Sequence, residues 1–230
     1  PSWPITEAGI WLDQRLAPLA SPRPALFLDR DGVIVEDTGF LSDPSLVALV
    51  PQIASLIKRA NAVQIPVLVV TNQSGIDRGH LGWREFAAVE SRILALLRQE
   101  GAVTDGTAAC PFHPEHTPGY GPDHSNWRKP EPGTIRVFAE TLNIDLSRSC
   151  LVGDRLRDVE AGRMAGLAGG FLLSDPSAPD VHPYRQSLAS RSFEFGCGNS
   201  IPLAEDWLEH LGLFRASCLS PPATMKLLFL

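Results

Sequence analysis

The sequence predicts an α/β fold around a central, mainly parallel sheet, and three observations carry that expectation. Phe27-Leu28, Pro66 to Val70 and Ser149 to Val152 are short runs with the apolarity of strands buried on both faces. Longer stretches with apolar residues at helical spacing lie between the first two runs and after them, as expected where crossover helices join parallel strands. Each run exits into a polar loop, and in an open parallel sheet ligands bind beyond the carboxyl ends of the strands.

Taken in order, residues 1–24 hold five prolines around a possible short helix, with Ile10, Trp11, Leu12, Leu16 and Leu19 as candidates for packing on the domain. Between Asp31 and Thr71 there is room for a turn, a helix from Pro51 to Asn61 and the strand over 67–70. That helix is read from Pro51 at its first position and from Ile53, Leu56, Ile57 and Ala60 on one face. A second helix is expected from Trp83 to Gln99, with Phe86, Val89, Ile93, Leu96 and Leu97 inward and Gly101 just past its end. Neither interval holds a second hydrophobic core, so no cap domain is expected over the site. Residues 174–200, rich in Ser, Pro, Asp and Gly, read as loop, and Pro202 to Phe214 as a last helix. The expected organisation is an N-terminal extension (1–24), one domain (25–214) and a C-terminal tail (215–230).

Composition narrows the function classes. With 230 residues and 44% apolar content the chain can bury one sizeable core. Cys110, Cys150, Cys197 and Cys218 lack disulfide-scaffold spacing and are read as reduced. No apolar run approaches a membrane span of ~20 residues, and the start has no signal-peptide pattern. The expectation is a cytoplasmic protein with no membrane partner, and a monomer. A net charge of −6 argues against nucleic acid. Against that acidic background Arg30, Arg78, Arg128, Lys129, Arg155 and Arg157, six of the twenty basic residues, fall in the strand-exit loops and suit a small anionic, phosphorylated metabolite.

The segment Phe27-Leu28-Asp29-Arg30-Asp31-Gly32-Val33 places two carboxylates two residues apart at a strand exit. Alone, an Asp-x-Asp reads equally as a strand end followed by a turn with Gly32 at positive φ. Three later segments change that reading: Thr71-Asn72-Gln73-Ser74-Gly75, Arg128-Lys129-Pro130-Glu131-Pro132-Gly133, and Gly153-Asp154-Arg155-Leu156-Arg157-Asp158. Together they bring acids, a hydroxyl, a lysine and arginines to one site, an inventory suited to phosphoryl transfer to an aspartate. Phosphate esters resist anionic nucleophiles, so a Mg²⁺ ion held by a few oxygen ligands is expected. Asp29 would attack phosphorus and Asp31 would serve as general acid and base. Asp29, Asp31 and Asp154 would form the metal site, with Asp158 supporting it. Thr71 and Lys129 would stabilise the phosphoryl oxygens.

These four segments, in this order, resemble the four motifs of the haloacid dehalogenase-like (HAD) phosphatases. FLDRDGVIVED, TNQSGIDRG, RKPEPG and VGDRLRDVEAG resemble in particular the D-glycero-D-manno-heptose 1,7-bisphosphate phosphatases and related histidinol-phosphatases, over about residues 25–173. The resemblance implies a three-layer, Rossmann-like, capless HAD fold. It implies a phosphomonoesterase that removes one phosphate from a heptose bisphosphate, with histidinol phosphate or another small ester as the alternative. An inactive binding relative would need no nucleophile, and Asp29, Asp31, Thr71, Lys129 and Asp154 are all present. Carried over by position, Arg30, Asp37, Thr38, Gly39, Phe40, Asn72, Gln73, Ser74, Arg128 and Arg155 would contact substrate, with Arg128 recognising the sugar phosphate.

One loop departs from the family pattern. Residues 110–127 contain four prolines and two glycines with no helical or strand period. In the family this loop often carries a zinc clip of Cys-x-His and Cys-x-Cys, whose positions here are Cys110, Phe112, Ser125 and Trp127. Three of four ligands are missing, so no structural zinc of that type is expected. A rearranged set from Cys110, His113, His116 and His124 is the remaining way for this loop to bind zinc.

Overall fold

The computed structural model describes residues 3–188 and 192–215. In chain order the elements are β1 (Trp11–Gln14), β2 (Leu26–Leu28), α1 (Ile53–Ala62), β3 (Val67–Asn72), α2 (Trp83–Gln99), β4 (Gly106–Cys110) and α3 (Pro122–Ser125). They continue as α4 (Gly133–Leu142), β5 (Cys150–Gly153), α5 (Leu156–Ala165), β6 (Gly169–Leu173), α6 (Val181–Ser187), β7 (Glu194–Gly198) and α7 (Ile201–His210). The strands form one open sheet in the order β1-β4-β3-β2-β5-β6-β7. All neighbours pair in parallel except β1, which runs antiparallel to β4 at the edge.

Strand periodicity explains the three layers. Successive side chains point to opposite faces, so Leu26, Leu28, Val67, Val69 and Val152 join one core while Phe27, Leu68, Val70 and Leu151 join the other. The first face is covered by α1 through Ile53, Leu56, Ile57 and Ala60, by α2 through Val89, Ile93 and Leu97, and by α7 through Ala204 and Leu208. The second is covered by α4 through Ile135, Phe138 and Leu142, by α5 through Val159 and Ala161, and by α6 through Val181. Among the described residues the intervals after β2 and after β3 contribute helices to these layers and no separate cap.

The helix over 83–99 begins and ends where its apolar period places it, and Gly101 follows it with φ +75°. Four expectations need correction. Pro51 does not open α1; it lies in a turn, and the helix starts at Ile53 after Gln52. The apolar residues near the N-terminus form no helix: β1 hydrogen-bonds to β4, burying Ile10 and Trp11, because alternating side chains there pack on a strand edge. Residues 174–200 are not all loop, since Val181 of α6 joins the second core and Phe195 and Cys197 of β7 pack against it. The 110–127 segment contains the short α3, started by Pro122. Of the tail expected at 215–230, residues 216–230, with Cys218, lie outside the described residues.

Phe138 is fully buried between α4 and the sheet, and Gly106 on β4 leaves it room: a Cβ at Gly106 would lie 2.7 Å from the Phe138 ring. Phe138→Ala should therefore cost about 3–5 kcal/mol through lost burial and the cavity left behind. In urea titration the midpoint should fall with the m-value unchanged; an unchanged midpoint would show that this face does not hold the layers together.

Candidate active site

Four chain segments meet at the carboxyl end of the sheet. Asp29 follows β2, Thr71 and Asn72 end β3, Lys129 precedes α4, and Asp154 follows β5. They line or adjoin a cavity of about 160 Å³ whose wall includes Asp29, Asp31, Thr71, Asp154, Arg155 and Arg157.

The centre of the site is a buried cation. Lys129 Nζ donates to the Val70 carbonyl and pairs with Asp29 Oδ1 and Asp158 Oδ1, each contact 2.8 Å. Burial alone would lower its pKa; the charges of Asp158 and Asp29 outweigh that and hold the ammonium above its ordinary value. Asn72 fixes this residue from its main chain, donating Nδ2 to the Lys129 carbonyl and accepting from the Lys129 amide, both at 3.0 Å.

Three carboxylates face this one ammonium. Ligand atoms of Asp29, Asp154 and Asp158 lie within 4.8 Å of one another. Burial and then repulsion from Asp158 push Asp29 up to about 7, with Lys129 opposing. The same two causes push Asp154 up to about 6. Excess negative charge held in a dry place is the electrostatic state that a divalent cation relieves. Asp158 itself is already engaged, because Oδ1 meets Lys129 and Oδ2 accepts from the Arg155 amide at 2.9 Å, capping α5. Asp29 Oδ1 likewise accepts from the Arg30 amide at 2.8 Å and from Lys129, so Oδ2 is the oxygen without a donor among the described residues.

Two glycines allow these approaches. Gly32 has φ +80°, and a Cβ there would lie 2.7 Å from Asp154 Oδ2. A Cβ at Gly153 would lie 2.3 Å from Asp158 Cβ. The turn expected at Gly32 is therefore present, and it lets Asp154 approach the segment that carries Asp29.

The remaining expected residues divide into three groups. Asp37, Gly39, Phe40, Asn72, Gln73, Ser74 and Arg155 border the cavity. Arg155 pairs with Asp154 at 3.0 Å and Asp37 at 3.4 Å, while Phe40 stacks on His80 with Arg78 over its ring. Thr38 is exposed beside Asp37 and is not part of the cavity wall, and neither is Arg128, whose Nη1 donates to the Phe112 carbonyl at 3.1 Å. Burial lowers the pKa of Arg128, and the nearby charges of Arg157 and Arg78 add to that. Arg30 is only 1% exposed and is not part of the cavity wall; it donates to Asp31 and Gln73, which are. Asp31 differs from the other acids: its carboxylate meets Arg30 and Gln73 and stands outside the cluster of Asp29, Asp154 and Asp158. Arg157, expected only as one of the cations at the rim, and Gly75, not expected at all, also line the cavity. Arg157 carried a signal, a cation four residues past the Gly153 strand end; Gly75 carried none, since its part is to leave room for Phe40 and Leu81.

At the zinc-clip positions the chain builds an apolar cluster. Ile10, Cys110 and Phe112 are buried together, with Tyr120 and Trp127 packed against them. His124 meets Phe112 edge-on with ring centroids 4.7 Å apart. Burial raises the Cys110 thiol to about 12, and the Ser125 hydroxyl bonds the Pro122 carbonyl. Of the rearranged set, Cys110 and His124 belong to this cluster, whereas His113 and His116 gather with Glu115 on the loop, their ligand atoms within 4.8 Å of one another. Among the described residues no helix is long and apolar enough to cross a membrane.

Known proteins share this fold and much of this sequence. The HAD-hydrolase-like family model matches residues 126–187. A D-glycero-beta-D-manno-heptose-1,7-bisphosphate 7-phosphatase of Mesorhizobium japonicum is 46% identical, covering 80% of this chain and 87% of the relative. The crystal structure of a protein described as a HAD-like phosphatase from Mesorhizobium loti superposes with a TM-score of 0.80 at 39% identity, covering 93% of this chain and 98% of that one. D,D-heptose 1,7-bisphosphate phosphatase from B. bronchiseptica, complexed with magnesium and phosphate, superposes with a TM-score of 0.65 at 28% identity, covering 81% and 98%. The chain is a phosphatase and belongs to the heptose-1,7-bisphosphate phosphatase family of HAD-like hydrolases.

Proposed function

We propose that this phosphatase is a Mg²⁺-dependent phosphomonoesterase that works through an aspartyl-phosphate at Asp29. Its proposed substrate is a sugar bisphosphate of the D-glycero-D-manno-heptose 1,7-bisphosphate type. The observation that carries the reading is the state of Asp29. Lys129 and the Arg30 amide hold one oxygen, and the other, beside Asp154, has no donor among the described residues. A carboxylate oriented in this way is placed for attack and its torsions are already fixed.

The residues that would hold the metal are Asp29 and Asp154 through their carboxylates. Asp31, whose carboxylate is engaged by Arg30 and Gln73, would contribute its main-chain carbonyl. Asp158 would support them by holding Lys129 and the start of α5. When bound, Mg²⁺ neutralises charge on the ester and aligns it with the attacking group. Thr71, Lys129 and nearby amides would stabilise the phosphoryl oxygens, and Asp31 would give a proton to the departing alkoxide and take one from water. Arg128, with Arg157 and Arg78 close enough for their charges to act on it, would meet the sugar's remaining negative charge together with them.

The names of the relatives favour the heptose bisphosphate over histidinol phosphate. Specificity constants with Mg²⁺ across heptose bisphosphates of both anomers, histidinol phosphate and other sugar phosphates should be largest for a heptose bisphosphate. A larger value for histidinol phosphate would move the reading to the alternative.

Asp29→Asn should lower turnover by about a thousandfold or more while the fold and its urea midpoint persist. Full activity in that variant would remove covalent catalysis at Asp29. Metal binding should also be linked to protons. With Asp29 at about 7 and Asp154 at about 6, both are largely protonated below those values, so a cation must displace protons to bind. Calorimetric Mg²⁺ affinity should therefore rise from about pH 5 to about pH 8 with proton release into the buffer; an affinity independent of pH would contradict this metal site.

A further inference from the structure

Arg30 is a fully buried guanidinium next to the residue assigned to proton transfer. Its Nε donates to Asp31 Oδ1 and its Nη2 to Asp31 Oδ2, each at 3.0 Å. Nη2 also donates to Gln73 Oε1 at 3.0 Å, and the guanidinium lies over the Phe86 ring at 5.2 Å. Gln73 closes the network, donating Nε2 to Asp31 Oδ2 at 2.7 Å and to Thr71 Oγ1 at 2.9 Å. Asp31 is thus gripped by a planar fork from one residue and an amide from another.

A buried ion pair contributes little net stability, because removing both charges from water offsets most of their attraction. Its distinctive physical effect is directional. A bidentate fork fixes both side-chain torsions of the carboxylate, which a point charge or an apolar neighbour does not do. Phe86 on α2 in turn fixes the plane of the fork, so the helix packing sets the orientation of Asp31. Gln73 ties the same carboxylate to Thr71, one of the groups assigned to the phosphoryl oxygens.

We propose that Arg30, with Gln73 as its partner, is a positioning residue that aims Asp31 at the leaving oxygen. This rests on the aspartyl-phosphate reading given above. In the step concerned, a bond forms between Asp29 Oδ2 and phosphorus while the ester P–O bond breaks. The proton of the Asp31 carboxyl passes to the departing oxygen, and Asp31 remains as a carboxylate paired with Arg30. An alkoxide needs that proton to leave; an activated aryloxide does not.

The test compares kcat/KM, which reports steps up to the first irreversible one, for a sugar phosphate and for 4-nitrophenyl phosphate, both with Mg²⁺. Arg30→Met should lose about a hundredfold on the sugar phosphate, the scale of one positioned proton transfer, and less than about threefold on the aryl ester. Gln73→Leu should lose less, in the same direction. Arg30→Lys, which keeps the charge but not the fork, should recover only part of the loss. Asp31→Asn is the reference and should show the same discrimination between esters. Equal losses on the two esters in Arg30→Met and Gln73→Leu, beside a discriminating Asp31→Asn, would overturn the positioning role. An Asp31→Asn enzyme that does not discriminate would overturn the acid–base reading beneath it. Should Arg30→Met fail to fold, Arg30→Lys and Gln73→Leu decide the question by the same ratio.

Discussion

The site depends on one buried ammonium. Lys129 Nζ reaches the end of β3 through the Val70 carbonyl, the end of β2 through Asp29 and the start of α5 through Asp158, each at 2.8 Å. Without it, the buried carboxylates of Asp29 and Asp158 would lose the cation they share, leaving Arg155 at the rim, on Asp154, as the cation paired with this cluster among the described residues. Lys129 is therefore both a structural tie among three chain segments and the local counter-charge of the reaction centre. The main-chain clamp from Asn72 shows how its reach is set, since two hydrogen bonds fix the backbone from which the side chain extends.

The sheet supplies the rest of the geometry. Parallel pairing of β2 with both β3 and β5 brings three strand exits side by side. The loops that follow then need few residues to reach a common point, and Gly32 and Gly153 remove the side chains that would keep Asp154 and Asp158 away. Charge imbalance is left over. Asp29 and Asp154 both sit above their ordinary range, first because burial strips water from them and then because Asp158 repels them. That imbalance is the property of the site that suits it to a cation.

Much of this was legible in the sequence, for identifiable reasons. Buried parallel strands are continuous apolar runs and α2 has a clean helical period, so the layers around β2, β3 and β5 could be placed. The four polar exits were legible because their chemistry is carried by residue type. Edges were harder. The N-terminal apolar residues have no period that separates a short edge strand from a helical turn, and β7 is glycine-rich, with little side-chain signal. Within the site, residue type showed which groups gather but not which way they point. Arg30 looked like a surface cation suited to a substrate; its fork and the ring of Phe86, 56 positions away in the chain, turn it inward. Asn72 was expected to meet a ligand; it lines the cavity, and its amide also clamps the Lys129 main chain, which residue type did not show.

The 110–127 loop is held by a different kind of physics from the reaction centre. A metal clip would pin such a loop through a few strong, directional bonds; here Ile10, Cys110 and Phe112, with Tyr120 and Trp127, pin it through burial. Ile10 precedes β1, so the order of this loop depends on the edge strand and its pairing with β4. Arg128 follows the loop and donates back to the Phe112 carbonyl, which ties its guanidinium to that apolar cluster. Asp29, Lys129 and Asp158 depend instead on the central strands. The guanidinium of Arg128 is thus held by the edge of the fold, through Phe112 and its apolar neighbours, while the next residue, Lys129, is held by the central strands.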